Sequence, residues 1–184
     1  MGPSSPSSSL VIRHLTERFE EFELRVLHEL EDAVGGEWLF ALSYPKFIPR
    51  DVRNLYRGCF VLHASALPEG KGWSPGNWML EKLNTEFTMT LLIMDDEIDA
   101  GPVVSQEAFK VPIEKGWDFF REQSENSQIR LISKLLSGEV HPGLAEQQTG
   151  EQSFLPKRTV ENSRLDANDS IASQWGKIRA ADPD

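Results

Sequence analysis

The chain has 184 residues with 19 basic and 29 acidic side chains, a net charge of −10. A surface of that sign repels phosphate backbones, so the composition argues against nucleic acid as a partner. The one cysteine, Cys59, cannot form an internal disulfide or supply a zinc site alone.

The opening "MGPSSPSSS" reads as a disordered tail over 1–9, without an apolar signal segment, and Pro6 breaks the myristoylation pattern. Leu15, Phe19, Phe22, Val26 and Leu30 recur at three or four, predicting an amphipathic helix up to Gly35-Gly36. "EWLFALSY", Glu37 to Tyr44, is short and continuously apolar, and reads as a buried strand. Pro45 and Pro49 interrupt the chain, and "RDVRNLYRG" suits a short helix. "CFVLH" is a second buried strand. Ser74 and Pro75 then mark the start of a helix through "NWMLEKLN".

"EFTMTLLIMDD" predicts a third strand and, after the turn from Asp99 to Pro102, "VVSQEAFKV" a fourth. Trp117, Phe120, Ile129, Ile132, Leu135 and Leu136 mark a long helix ending at Gly138. The alternation predicts an α/β domain, doubly wound, with a mostly parallel Rossmann-like sheet and flanking helices over 10–138. Residues 139–184 read as a surface excursion with a last helix over 170–179. No run approaches the ~20 apolar residues of a membrane span, and a cytoplasmic protein is expected.

In such sheets ligands bind beyond the carboxyl ends of the strands. His63 ends the second predicted strand, Asp95 and Asp96 close the third, and Asp99 follows in a turn with Gly101. A carboxylate near an imidazole fixes its tautomer and raises its basicity, as a base acting on an amine requires. The plainer alternatives are a structural histidine at a strand end and a solvated acidic turn. A calcium loop is a poor reading, since Ala100 and Gln106 stand where its glycine and last glutamate belong. Ser65 lacks the frame of a hydrolase nucleophile. Trp73 and Trp78 are core or pocket wall.

At "LHASALPEGKGWSPGNW" followed by "MTLLIMDDEIDAGPVVSQ", the sequence resembles the formyltetrahydrofolate-dependent formyltransferase family. The matching pieces are His63, Ser65, Leu67-Pro68, Gly72, Pro75, Trp78 and the Asp99-Ala100-Gly101 turn, with Asp99 36 positions after His63 as is usual in the family. The likeness covers roughly 37–138 and extends more weakly to "QTGEQSFLPKR" and "SIASQWGKIRAADP". The "HASALPEGKGWSP" wording is closer to members acting on nucleotide-linked amino sugars than to those acting on initiator tRNA.

The resemblance implies transfer of a formyl group from 10-formyltetrahydrofolate to a sugar amine, without a metal. His63 would polarise the formyl oxygen or relay a proton, and Asp99 would orient His63 and handle proton transfer. Tyr44, Pro45, Lys46, Phe47 and Ile48, with Met94, Asp95 and Asp96, would wall the folate pocket. A nucleotide-sugar acceptor is the implied partner, with a homodimer as one allowed assembly and no membrane.

The sequence departs from the family in two respects. Val61 stands where members carry an asparagine whose side chain supports the oxyanion, so Ser65 or a backbone amide would have to take that role. The family's first strand and helix and its last strand are also missing from the pattern. Val61 therefore keeps a second reading open, a folate- or nucleotide-sugar-binding relative without catalysis, as does a truncated product.

Overall fold

The computed structural model describes residues 6–182. Residues 1–5 of the expected tail lie outside the described residues, and from Pro6 the chain is already helical. Helix α1 runs Pro6–Arg18 instead of Leu15–Leu30. Val11, Leu15 and Phe19, four apart, form its buried stripe. Beyond Phe22 the same period finds nothing to cover: Leu24 and Val26 stay exposed, and 19–35 is irregular apart from one short turn at Leu30–Asp32. A helical pattern without a buried counterpart does not hold a helix in water.

Strand β1, Gly36–Leu42, stops at Ser43, whose φ of 53° leaves extended geometry. Helix α2, Arg50–Arg53, leads into β2, Tyr56–His63. A two-residue strand β3, Lys71–Gly72, precedes α3, Pro75–Glu81. Ser74 sits before α3 at φ 50° and makes no capping hydrogen bond, contrary to its expected role. Strands β4, Glu86–Ile93, and β5, Val103–Lys110, are followed by α4, Trp117–Leu136. Strand β6, Phe154–Leu155, and α5, Trp175–Arg179, complete the described elements, α5 starting later than expected.

The main sheet has the order β1-β2-β4-β5, with β2 parallel to β1 and β4 antiparallel to both β2 and β5. Three of its four strands therefore share one direction, and helices flank it. Helix α4 lies on β4 and β5, and α1 packs on α4. One core joins α1, the sheet and α4 through Val11, Leu15, Phe60, Leu62, Phe87, Met89, Phe109, Phe120 and Ile132. Phe87 touches both Phe109 and Phe120, with ring centres 5.6 and 5.1 Å away. Each such side chain contributes about 1.5–3 kcal/mol by leaving water.

The segment expected to wander over the surface is tied back to the sheet. β6 pairs in parallel with β3, and α5 packs on α3. Arg179, 1% exposed, donates to the carbonyls of Leu80, Asn84, Val111, Pro112 and Lys115. Five carbonyls from two segments, the end of α3 and the stretch after β5, thereby find one donor group.

Candidate active site

His63 is the last residue of β2, a strand paired on both sides, so its backbone is held by two neighbours. Its side chain is 7% exposed, and Nε2 lies 2.8 Å from the Gly70 carbonyl oxygen. A carbonyl only accepts, so Nε2 carries the hydrogen and donates. The other nitrogen, Nδ1, faces Asp99 Oδ2 at 3.6 Å. That is longer than an ordinary hydrogen bond, and catalytic contacts of this kind close when substrate binds.

Asp99 reaches this position against the run of the sheet. Because β4 is antiparallel to β2, its carboxyl end lies at the far end of β2, where Met94 N–H donates to Cys59 O at 2.8 Å. Cys59 is four residues upstream of His63, about 13 Å along an extended strand. The expectation that β2 and β4 deliver their acids and imidazole to one edge is therefore corrected. The 94–102 loop instead folds back, and Asp99 enters with φ 53°, in the left-handed region.

Three groups fix the turn. Gly72 N–H donates to Asp99 Oδ2 at 2.9 Å, and Gln148 Nε2 donates to the carbonyls of both Asp99 and Gly101 at 2.8 Å. At Gly101 a Cβ would stand 1.8 Å from the Ile93 carbonyl oxygen, so only glycine fits. Strand β6 holds Gly72 and therefore its amide, and Gln148 lies in the segment just before β6. Thus 139–184 supports the pair from behind, a role that its lack of periodicity concealed.

His63 and Asp99 line a cavity of about 860 Å³. Tyr44, Pro45, Lys46, Phe47, Ile48, Val61, Met94 and Asp95 are all on its wall. Phe47 and Ile98 keep 49% and 59% of their surface exposed, and the buried Tyr44 hydroxyl has no hydrogen-bond partner among the described residues. An apolar, partly open slot with an unsatisfied hydroxyl fits a flat heterocycle such as a pterin.

Two expected residues are placed elsewhere. Asp96 is outside the cavity lining, ion-paired to Arg50 and Arg53, which hold its carboxyl below the usual range chiefly through the Arg53 hydrogen bond. Ser65 is also absent from the lining: it is 2% exposed, and its hydroxyl is buried without a hydrogen-bond partner. Its carbonyl accepts from Thr90 Oγ1, which accepts in turn from Gln106 Nε2, so Ser65 anchors the loop beyond His63.

Sequence reasoning missed the polar stretch of α4 on the cavity wall, Arg121, Ser124, Glu125 and Gln128. Their spacing of three and four fits one helix face, but polar residues there read as a solvated surface. Burial pushes the Glu125 carboxyl up, against the pull of Arg121.

Among the described residues no helix is long and apolar enough to cross a membrane. The described residues also contain no group of three metal-ligating side chains.

The formyl transferase family model matches residues 4–132. A methionyl-tRNA formyltransferase of Thermodesulfovibrio yellowstonii is 26% identical over 156 residues, covering 82% of this chain and 50% of the relative. The chain thus spans about half the length of the curated relatives it matches. In fold it is similar to HypX from Aquifex aeolicus in complex with tetrahydrofolic acid, with a TM-score of 0.82 at 22% identity, covering 97% of this chain and 33% of that one. It is also similar to the N-formyltransferase from Helicobacter canadensis in complex with folinic acid and dTDP-3-aminofucose, at 0.61 and 18%, covering 90% and 63%.

Proposed function

Since the chain belongs to the formyl transferase family, we propose that it transfers the formyl group of 10-formyltetrahydrofolate to the amine of a nucleotide-linked amino sugar. The observation that carries this reading is the pairing of His63 with Asp99 at 3.6 Å on the wall of an 860 Å³ cavity. When bound, the folate supplies an electrophilic formyl carbon.

The chain supplies positioning and proton handling. Tyr44, Pro45, Phe47, Ile48 and Met94 receive the pterin on one side. Asp99, its Oδ2 oriented by the Gly72 amide, takes the proton from the attacking amine and returns it to the departing nitrogen. His63, anchored through Nε2 to Gly70, exchanges that proton with Asp99 through Nδ1. Burial of both side chains strengthens these interactions relative to water.

The amino-sugar acceptor rests on the "HASALPEGKGWSP" wording, on the net charge of −10 and on the ligand of the Helicobacter canadensis neighbour. Against it stand the sequence relatives that are methionyl-tRNA formyltransferases. Val61 on the cavity wall favours a second reading, a folate-binding relative that no longer transfers.

The test offers the protein 10-formyltetrahydrofolate with a panel of nucleotide-linked amino sugars, and separately with initiator tRNA, and follows the products by mass spectrometry. A formylated sugar nucleotide is expected. Formylated tRNA would move the acceptor to tRNA, and folate binding without any product would select the second reading. A soluble protein that binds no folate analogue at millimolar concentration would end both.

A further inference from the structure

Two tryptophans, Trp73 just before α3 and Trp78 within it, each lie under a cation from the segment after β6, and the two pairs differ in kind. Arg158 stacks over Trp78 with 4.6 Å from its guanidinium carbon to the ring centre, and its charge is met by Glu81. The Trp78 indole N–H donates to the Pro156 carbonyl at 2.9 Å. The charge of that pair is met by Glu81 and its indole N–H by Pro156, so it serves to hold the C-terminal segment on α3.

Lys157 sits over Trp73 with its ammonium 4.8 Å from the ring centre, and the indole is its sole partner among the described residues. It meets no carboxylate among the described residues, although the chain carries a net charge of −10. Lys157 is exposed, and Trp73 keeps 39% of its surface open while lining the same cavity as His63 and Asp99. Its position is rigid: Trp73 N–H donates to Leu155 O at 3.1 Å, and it directly follows Gly72, whose amide holds Asp99. An indole with part of its surface open beside an exposed ammonium offers a stacking surface and a positive charge together at the cavity rim.

We infer that Trp73 and Lys157 form the platform that binds the nucleoside diphosphate of the acceptor, the base stacked on the indole and a phosphate paired with the ammonium. This rests on the acceptor proposed above and names the residues that select it. Stacking tolerates any base, so the platform recognises the nucleotide class and leaves the identity of the sugar to the cavity. A single open cation suits a diphosphate and is too little for a polynucleotide, whose binding grows with the number of phosphates neutralised.

Calorimetric titrations of uridine and thymidine diphosphates, the free nucleosides and 5-formyltetrahydrofolate test it on the full chain and on Trp73→Ala, Trp73→Phe and Lys157→Gln. Trp73→Ala is expected to weaken diphosphate binding about tenfold or more with folate binding unchanged, while Trp73→Phe retains most of it. Lys157→Gln is expected to weaken the diphosphates and leave the free nucleosides as they were. Unchanged diphosphate affinity in Trp73→Ala, or a loss confined to folate, would overturn the platform. Folate binding by the native chain without diphosphate binding would overturn the platform and leave the folate reading standing. Diphosphate binding that depends on Trp73 without folate binding would do the reverse.

Discussion

His63 and Asp99, 36 positions apart in sequence, stand with Nδ1 and Oδ2 3.6 Å apart at less than a tenth of their full exposure. Neither is part of the main hydrophobic cluster, and each is held by a hydrogen bond to a glycine backbone, His63 to Gly70 O and Asp99 to Gly72 N–H. His63→Ala and Asp99→Asn are each expected to lower formyl transfer steeply, by 100-fold or more on the order of general acid–base contributions. The double variant should cost little more than the worse single one, because the two act as a unit. Single-turnover rates with circular dichroism to confirm folding check this, and wild-type turnover in either variant would remove the assignment.

Val61 faces the cavity two residues before His63, while Ser65 is buried off its wall. Val61→Asn therefore places an amide donor beside His63 on a wall that the Ser65 hydroxyl does not reach. We expect formyl transfer to rise more than tenfold, since one oxyanion donor is worth roughly 3 kcal/mol in the transition state. An unchanged rate in a folded variant would mean that a backbone amide already serves the oxyanion.

Gln148 donates from one amide nitrogen to the carbonyls of Asp99 and Gly101. Gln148→Ala leaves both without that donor and is expected to cost about 1–3 kcal/mol of stability. The transfer rate should fall further than stability loss alone explains, through a lower kcat with folate affinity retained, because Asp99 then loses its fixed approach to His63. Denaturant melts beside steady-state kinetics separate the two effects.

Arg179 satisfies five carbonyls from within the protein. Arg179→Ala is expected to destabilise the fold by about 3–5 kcal/mol, and Arg179→Lys to recover only part of this, since an ammonium cannot reproduce the planar fork. Urea unfolding midpoints report both. A loss below about 1 kcal/mol for the alanine variant would show that water replaces the guanidinium without penalty.

Burial pushes the Cys59 thiol up from 9.0 to about 11, against the opposing charge of Arg53. The folded state therefore holds this proton more tightly than the unfolded chain. Its contribution to stability is complete below pH 9 and is lost as pH rises through about 11. Native protein should react with iodoacetamide far more slowly at pH 8 than urea-unfolded protein, and Cys59→Ser should flatten the alkaline part of the stability profile. Equal labelling rates would show the thiolate to be accessible.

Local pattern determined the strand and helix segments of the sheet, the placement of His63 at a strand end and the turn that carries Asp99. Continuous apolar runs, Pro–Gly punctuation and a fixed spacing are all properties of neighbouring residues. Even so, the first helix was displaced: the apolar period of 15–30 continues past the point where α4 offers a surface to cover it, and burial decides where a helix stops. The direction of β4 was equally beyond local reading, because a period of two marks a strand without naming its partner or its sense. That one inversion sends the Asp96 end of β4 toward Arg50 and Arg53 and leaves a loop to bring Asp99 back to His63. Ser65 turned inward, and Gln148 arrived from a stretch without periodicity, for the same reason. Side-chain direction and long-range hydrogen bonds are settled by what the rest of the fold brings alongside, which only the tertiary structure supplies.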